Sequence, residues 1–219
     1  MIHLHYFPGN ASMAPHLLLE EIGRPFELTQ VDRANNAHKS ADYLKLNPNG
    51  LIPVLVDGET VLYEAAAMLL HLADTHPNSA LLPALATPER AQAYKWLIWL
   101  TNTLQPALLA YFYPERWVKA GNADGAAEVQ AAAEARVVDL LAQVEAQLAS
   151  HGESWLLGAN YSAVDAMAFM LCRWTRGFAS RPARDFALIG AYLQRMLART
   201  AVQRMLATEQ LAAPRPVPA

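Results

Sequence analysis

A serine that follows a short strand is the first residue placed to do chemistry. In the stretch HYFPGNASMAPH, residues 5–16, the chain turns at Pro8-Gly9-Asn10 and a predicted helix begins behind Ser12. The hydroxyl of Ser12 can cap this helix by accepting a backbone N–H of the first turn. Because a helix start also attracts anions, the hydroxyl could instead donate to a thiolate and lower the pKa of that thiol. No cysteine lies in this turn, so the thiol would belong to a ligand.

Two further stretches are suited to holding a peptide-like ligand. Pro53 enters a predicted strand without an N–H to donate, and a cis Ile52-Pro53 bond would leave the N–H and the carbonyl of Ile52 free. An edge strand with a trans proline is the alternative. Glu64 and Ala65 begin a predicted helix, where the carboxylate could accept an ammonium group and the N–H of Ala65 could bind a carboxylate. A favourable interaction of Glu64 with the helix dipole is the simpler interpretation.

The remaining polar and thiol side chains give weaker signals. His38 and Lys39 are typical of a solvated loop, although the pair could clamp a carboxylate. His3 and His5 share one face of the first predicted strand, and we interpret them as polar strand positions because no third metal ligand is near. Cys172, the single cysteine, lies in the apolar run AMAFMLCRW, which predicts a buried, inert thiol and excludes an internal disulfide. No metal site is predicted.

The composition of the 219 residues narrows the class of protein. The chain is 53% apolar and 17% charged, enough to bury a sizeable core, and its net charge of −3 argues against nucleic-acid binding through phosphates. No basic region followed by an apolar run opens the sequence, and no run of about 18 apolar residues predicts a membrane span. We therefore expect a cytoplasmic protein that contacts neither nucleic acid nor membrane.

The order of predicted elements places these residues in two domains. Residues 1–77 are predicted as strand, helix, strand, short helix, two strands and helix, an α+β order that fits a thioredoxin-like domain. The Pro-rich residues 78–88 form the predicted linker, and residues 89–219 are predicted to be an all-α helical domain. Pro106 is expected to kink a long aromatic-rich helix, and Pro114 is expected to end it or kink it again. The tail APRPVPA is expected to fray.

Four motifs in this order resemble those of the cytosolic glutathione S-transferases. YFPGNASMAPHLLLEE resembles the first motif of the bacterial, serine-type classes and is locally similar to the beta class. AHKSADYLKLNPNGLIPVL resembles the stretch with the basic pair and the cis-proline, and YEAAAMLLHLAD resembles the acidic helix motif. GANYSAVDAMAF resembles the N-capping box of the second domain, with Ser162 as the cap and Asp165 returning a bond to it. The resemblance spans nearly the whole chain and implies the glutathione transferase fold.

The resemblance also implies a role for each candidate residue of the first domain. Ser12 would stabilise the thiolate of glutathione, which acts as a cosubstrate. The backbone of Ile52, in front of a cis Pro53, would pair with the cysteinyl part of glutathione. Glu64 and the N–H of Ala65 would hold its γ-glutamyl end.

The other end of glutathione and the second substrate are assigned by the same resemblance. His38 and Lys39 would bind the glycine carboxylate. A small hydrophobic electrophile would lie against the helical domain, near four residues placed there by helix phase: Asn102, Gln105, Tyr111 and Tyr113. For the two tyrosines, packing between the domains is an equal alternative. The resemblance further implies a homodimer.

Three positions depart from the family pattern. Beta-class members carry a cysteine where this chain has Ala11, so a mixed disulfide with glutathione is excluded there and the Ser12 mechanism is favoured. The family's serine after the acidic residue is Ala65 here, and Leu51 stands where many members have glutamine. Because a hydrogen bond to a charged group contributes ~1.5–3 kcal/mol, the loss of the serine at Ala65 predicts glutathione binding weaker by roughly tenfold or more, and Leu51 adds a second departure in the same site.

Three functional hypotheses follow from these residues. The leading one is a glutathione transferase that conjugates the thiolate to small hydrophobic electrophiles. A second, on the same fold, is a glutathione-dependent isomerase, dehalogenase or peroxidase. A third is a non-catalytic relative that acts as a binding protein, which the substitutions at Ala65 and Leu51 make plausible.

Overall fold

The chain folds into two compact units. In the computed structural model, which describes residues 1–211, one unit is Met1–Leu82 together with the segment that begins at Leu197, and the other is Pro83–Met196. The tail that was expected to fray lies outside the described residues. Within residues 1–211, no helix has both the length and the hydropathy needed to cross a bilayer.

A four-stranded mixed sheet organises the first unit. Its strands are β1 Ile2–Tyr6, β2 Phe26–Gln30, β3 Val54–Asp57 and β4 Thr60–Leu62, in the spatial order β2-β1-β3-β4. β1 pairs in parallel with β2 and antiparallel with β3, and β3 forms a hairpin with β4. The apolar residues of β1 are buried and its two histidines are only partly buried, as their alternation predicts. This sheet, with its helices, confirms the thioredoxin-like α+β prediction.

α-Helices lie between and after the strands in the sequence. In chain order they are α1 Met13–Ile22, α2 Ala41–Leu46, α3 Ala65–Thr75, α4 Pro88–Trp99, α5 Gln105–Phe112, α6 Ala123–His151, α7 Ala163–Trp174, α8 Ala187–Ala198 and α9 Thr200–Thr208. Gly23 ends α1 at a φ of 70°, a left-handed conformation that glycine adopts without strain. Within the first unit, α1 contacts both α3 and α9.

In the second unit, the long predicted helix is interrupted before Pro106. α4 passes into a π-helical turn, Leu100–Leu104, before α5 begins. Pro106 has no N–H for the carbonyl four residues earlier, so the regular hydrogen-bond ladder cannot continue. The irregularity in front of Pro106 therefore takes the form of a wider helical turn. α5 ends at Phe112, just before Pro114, as the sequence predicts.

Helix α7 lies in the core of the second unit, where every residue from Ala163 to Trp174 is buried. It begins at the predicted capping box. The carboxylate of Asp165 accepts from the N–H of Ser162 at 2.8 Å, from the Ser162 hydroxyl at 3.0 Å and from the N–H of Leu156 at 2.9 Å. Burial raises the pKa of Asp165 to about 6, although these hydrogen bonds oppose the shift.

The last helix departs from the predicted domain organisation. The sequence predicts one helical domain over residues 89–219, but the segment from Leu197, which includes α9, belongs to the first unit. Arg199 joins this segment to α1 by donating to both carboxylate oxygens of Glu21, at 2.6 and 2.8 Å. The apolar pattern of a helix shows that one face is buried but not which domain buries it, so the sequence could not predict this return.

Candidate functional site

One edge of the sheet collects the candidate residues of the first unit. β1, β2 and β4 end at this edge and β3 begins there, because β1 is parallel to β2, antiparallel to β3, and β3 is antiparallel to β4. The segments that follow or precede these strand ends therefore meet at the same edge. In chain order they carry Ser12, His38 and Lys39, Ile52 and Pro53, and Glu64 and Ala65.

The turn between β1 and α1 is held by the side chain of Ser12. Its Oγ donates to the carbonyl of Phe7 at 3.0 Å and accepts from the N–H of Phe7 at 3.2 Å. Ser12 is fully buried, and its hydroxyl does not cap α1, so the capping interpretation is wrong. The third helical residue is Pro15, which has no N–H to donate to a cap. Direct contact of Ser12 with a ligand thiolate stays a prediction.

The same turn is anchored by a carboxylate from the end of the described chain. Oε2 of Glu209 accepts from the N–H of Gly9 at 2.8 Å, and its Oε1 lies 2.7 Å from Nδ1 of His16 in α1. Glu209 and His16 are both buried. A buried carboxylate costs free energy unless it is hydrogen-bonded, and both oxygens of Glu209 are. This contact could not be predicted from the sequence, because Gly9 and Glu209 are 200 residues apart.

A second turn, in front of β3, presents the backbone of Ile52. The Ile52-Pro53 peptide bond is cis, which confirms that prediction. Within residues 1–211, no hydrogen bond engages the N–H or the carbonyl of Ile52. The carbonyl of the preceding Leu51 accepts from the hydroxyl of Tyr43 at 3.0 Å and from Nδ2 of Asn47 at 2.8 Å. These two bonds fix the turn, while the N–H and the carbonyl of Ile52 stay open to a ligand.

Tyr43 and Asn47 are positioning residues that sequence reasoning missed. Both are buried, and burial raises the pKa of Tyr43 to about 12, so its hydroxyl stays protonated and donates. Oδ1 of Asn47 also accepts from the N–H of Asn49 at 3.0 Å, a local turn bond that asparagine makes readily. The asparagines of NPNG could therefore have predicted a side chain that holds this turn, whereas nothing in the sequence around Tyr43 indicated its bond to Leu51.

The start of α3 is strained at Glu64. Its φ of 75° and ψ of 109° are values that residues other than glycine rarely adopt, at a cost of about 1–3 kcal/mol. The Glu64 side chain is exposed and makes no capping bond, while its carbonyl accepts from the N–H of Met68 at 3.1 Å. The N–H groups of Ala65, Ala66 and Ala67 have no carbonyl partner within the helix. This end of α3 is suited to binding an anion beside an exposed carboxylate.

His38 and Lys39 lie against the turn that precedes β3. Nζ of Lys39 donates to the carbonyl of Asn49 at 3.2 Å. Gly50, at a φ of 58°, permits this approach, because a Cβ there would lie 2.9 Å from the carbonyl oxygen of His38. Burial first, and then the charges of Lys39 and Arg33, lower the pKa of His38. Lys39 is therefore the cation of the pair near neutral pH.

The four predicted electrophile-binding residues lie in and after the π-helical turn of the second unit. Asn102 is exposed, while Gln105, Tyr111 and Tyr113 are partly buried. The ring of Tyr111 packs on Phe178 with centroids 4.5 Å apart, and the guanidinium of Arg116 lies 4.0 Å from the centroid of Tyr113. Tyr111 is thus held by packing within its own unit. The binding role of these residues stays a prediction.

The protein's own thiol is unsuited to chemistry. Cys172 is buried in α7, and this burial raises its pKa to about 12, so almost no thiolate forms near neutral pH. Among residues 1–211, no group of three histidine, cysteine, aspartate or glutamate side chains could hold a metal ion. A nucleophile at the sheet edge would therefore come with a ligand.

Comparison with known proteins places the chain in one family. The family model of the glutathione S-transferase N-terminal domain matches residues 11–75, and that of the C-terminal domain matches residues 101–200. Glutathione S-transferase GST-4.5 of Xanthomonas campestris is 33% identical over 214 residues, which cover 95% of this chain and 98% of that one. GstA of Escherichia coli O157:H7 is 30% identical over 210 residues, 95% of this chain and 98% of that one.

Solved structures agree with these relatives. A glutathione transferase homologue from Sulfitobacter, solved with bound glutathione, superposes with a TM-score of 0.86 at 27% identity and covers 96% of this chain and 99% of that one. A beta-class glutathione S-transferase from Sphingomonas chungbukensis superposes with a TM-score of 0.81 at 29% identity, over 96% of this chain and all of that one. Matches of this extent, by sequence and by fold, show that the chain belongs to the glutathione S-transferase family.

Proposed function

We propose that this protein is a glutathione transferase that conjugates the thiol of glutathione to small hydrophobic electrophiles. The observation that carries the proposal is that the N–H and the carbonyl of Ile52, in front of the cis Pro53, are unengaged among residues 1–211, at the sheet edge that also holds the start of α3. A free N–H and C=O beside an open helix start match a peptide-like ligand with a carboxylate. The relatives named glutathione S-transferases, and the homologue with bound glutathione, support the same ligand.

The γ-glutamyl end of glutathione is assigned to the start of α3. Its carboxylate would accept from the N–H of Ala65, where the helix dipole favours a negative charge, and its ammonium group would lie on the carboxylate of Glu64. Ala65 lacks the hydroxyl donor of the family's serine but keeps the backbone N–H that would bind the carboxylate. The backbone strain at Glu64 supports a functional role for this position.

The rest of the peptide follows the turn in front of β3. The cysteinyl part would pair with the N–H and the carbonyl of Ile52, as a short strand added to an open backbone. The glycine carboxylate would lie on Lys39, with His38 as a neutral neighbour. This order directs the cysteinyl sulfur toward the turn between β1 and α1, where Ser12 lies.

In the proposed reaction, the glutathione thiol loses its proton to solvent and the thiolate attacks the electrophilic carbon. A carbon–sulfur bond forms, and the leaving group departs with the electron pair of the bond that breaks. A hydrogen bond to the sulfur and the nearby start of α1 favour the thiolate. Ser12 would be the direct donor only if its hydroxyl released the carbonyl of Phe7. Asn102, Gln105, Tyr111 and Tyr113 are proposed to contact the electrophile.

Calorimetric titration with glutathione near pH 7 tests the binding step. We expect saturable binding at millimolar affinity or tighter, and conjugation of chlorodinitrobenzene at a rate that saturates with glutathione. Glu64→Gln should weaken binding by about tenfold, because a charge-assisted hydrogen bond to the ammonium group is lost. Glu59→Gln is the matched control, since Glu59 is exposed at the opposite edge of the sheet, between β3 and β4. No detectable binding by the unmodified protein would contradict the proposal.

A reaction that uses the protein's own thiol is not supported. Disulfide-bond oxidoreductase YfcG of Escherichia coli is 33% identical over 115 residues, about half of this chain. In this chain the single cysteine is buried, with a pKa raised to about 12. Any thiol–disulfide exchange would therefore have to run between glutathione molecules.

We also propose that the protein is a homodimer, as the family resemblance implies. The chain has a mass of 24.1 kDa, so sedimentation at micromolar concentration should give a species of about twice that mass. A species at the mass of one chain would contradict this proposal and leave the binding proposal untouched.

A further inference from the structure

The turn between β1 and α1 offers few groups that could donate a hydrogen bond to a sulfur. Its residues 7–12 are FPGNAS, so only asparagine and serine carry a side-chain donor. Most of its backbone N–H groups are already used. The N–H of Gly9 donates to Glu209, and that of Asn10 donates to the carbonyl of Phe7 at 3.1 Å. The N–H of Ala11 donates to Oδ1 of Asn10.

The hydroxyl of Ser12 is the less accessible of the two side-chain donors. Ser12 has no exposed surface, and its hydroxyl both donates to and accepts from the backbone of Phe7. Turning the hydroxyl toward a ligand would leave the part-buried carbonyl of Phe7 with fewer donors, a change that costs free energy. Ser12 therefore acts as a brace that joins the two ends of the turn.

Asn10 has the opposite properties. Its side chain is partly exposed, and Oδ1 accepts from the N–H of the next residue, which fixes the plane of the amide. Because an N–H group can donate only to an acceptor, the amide atom that faces the N–H of Ala11 is the oxygen Oδ1. The other amide atom is therefore the donor Nδ2. Within residues 1–211, no hydrogen bond engages Nδ2 of Asn10. An amide with a fixed plane and two free N–H bonds is an oriented donor at the turn.

We propose that Nδ2 of Asn10, rather than the hydroxyl of Ser12, donates the hydrogen bond that stabilises the glutathione thiolate. This inference rests on the proposed function, and it assigns the donor that the function requires. Asn10 keeps its own protons throughout: the thiol proton leaves to solvent, and the amide only stabilises the sulfur anion that remains. Because an amide does not titrate near neutral pH, the donor is present at every pH at which the thiol ionises.

The pKa of the bound thiol separates the two candidate donors. It is measured from the ultraviolet absorbance of the thiolate as pH is raised, on protein saturated with glutathione. Asn10→Asp is the sharpest variant, because the carboxylate still accepts from the N–H of Ala11 while the donor is replaced by a negative charge. We expect this variant to raise the bound-thiol pKa by one unit or more, and Asn10→Ala to raise it less.

Two control variants complete the experiment. Asn78→Asp adds the same charge at an exposed residue beyond the far end of α3, about 16 Å along that helix from the site, and should leave the pKa unchanged. Ser12→Ala should leave the pKa within half a unit of that of the unmodified protein, in the folded fraction. An unchanged pKa in both Asn10 variants, or a rise of a full unit in folded Ser12→Ala, would overturn the assignment.

The failure of this inference is distinguishable from the failure of the proposed function. If the unmodified protein binds no glutathione in the calorimeter, the proposed function itself is contradicted. If glutathione binds but its thiol pKa equals that of free glutathione, only the assignment of a thiolate donor is overturned.

Discussion

Two serines precede buried helices in this protein, and their side chains make different hydrogen bonds. Ser162, in front of α7, forms a capping box with Asp165. Ser12, in front of α1, makes no cap and bonds back to Phe7. Three residues after Ser162 stands a carboxylate that returns a bond, whereas three residues after Ser12 stands Pro15, which has no N–H. A proline three positions downstream removes one of the two N–H groups that a serine at a helix start can accept from.

Removing Asp165 should give the largest effect on stability. Asp165→Ala leaves three donors near α7 without their acceptor, in a region where they are shielded from water. We expect the free energy of unfolding to fall by about 3–5 kcal/mol, measured by urea denaturation. Asp139→Ala is the control, because Asp139 is exposed on α6 and should change the free energy by less than about 0.5 kcal/mol. Equal effects of the two variants would contradict a structural role for the box.

The capping box of α7 should also make stability depend on pH. Burial raises the pKa of Asp165 to about 6 in the folded protein, above its usual 3.8. Between these values the folded state holds a proton that the unfolded state has released, so this carboxyl contributes less stability as pH rises from about 4 to 6. The difference in unfolding free energy between the unmodified protein and Asp165→Asn should therefore shrink over that range. If this difference grows instead, the hydrogen bonds to Asp165 lower its pKa by more than burial raises it.

Replacing each serine by alanine should give the smallest effects and the sharpest contrast. Each variant should lower the free energy of unfolding by about 1–2 kcal/mol, because each removes a buried hydroxyl that makes hydrogen bonds. The hydroxyl of Ser12 donates to and accepts from the backbone of Phe7, and that of Ser162 donates to the carboxylate of Asp165. Ser162→Ala should leave conjugation activity unchanged, whereas Ser12→Ala should reduce it by up to about threefold, through a displacement of the turn small enough to leave Asn10 in place. Activity is compared at a temperature where both variants are folded. Equal activities would remove the functional distinction between the two serines.

Most of the fold and part of the site could be predicted from the sequence. Alternation in β1 and the capping box of α7 are local signals, and the structure bears both of them out. The cis bond before Pro53 was also predictable, because a proline that enters a strand must turn its backbone outward or lie at an edge. These features depend on residues within a few positions of one another.

The unpredicted features depend on contacts between distant residues or on the exposure of a side chain. The sequence suggested Ser12 as the thiolate donor, but only the structure shows that its hydroxyl is buried on Phe7. The same is true of Tyr43, whose hydroxyl reaches the carbonyl of Leu51 across a turn. Hydropathy predicted a helix near the end of the chain, yet not that this helix would return to the first unit.

The bond from Gly9 to Glu209 has a consequence for the order in which the site forms. A chain emerging from the ribosome can pair its strands once β4 is out, but its first turn lacks this acceptor until residue 209 has been made. The same dependence persists in the finished protein, where detachment of α9 would remove the carboxylate that accepts from the amide of Gly9. Hydrogen exchange at Gly9 should therefore report the opening of the last helix and not the opening of the sheet.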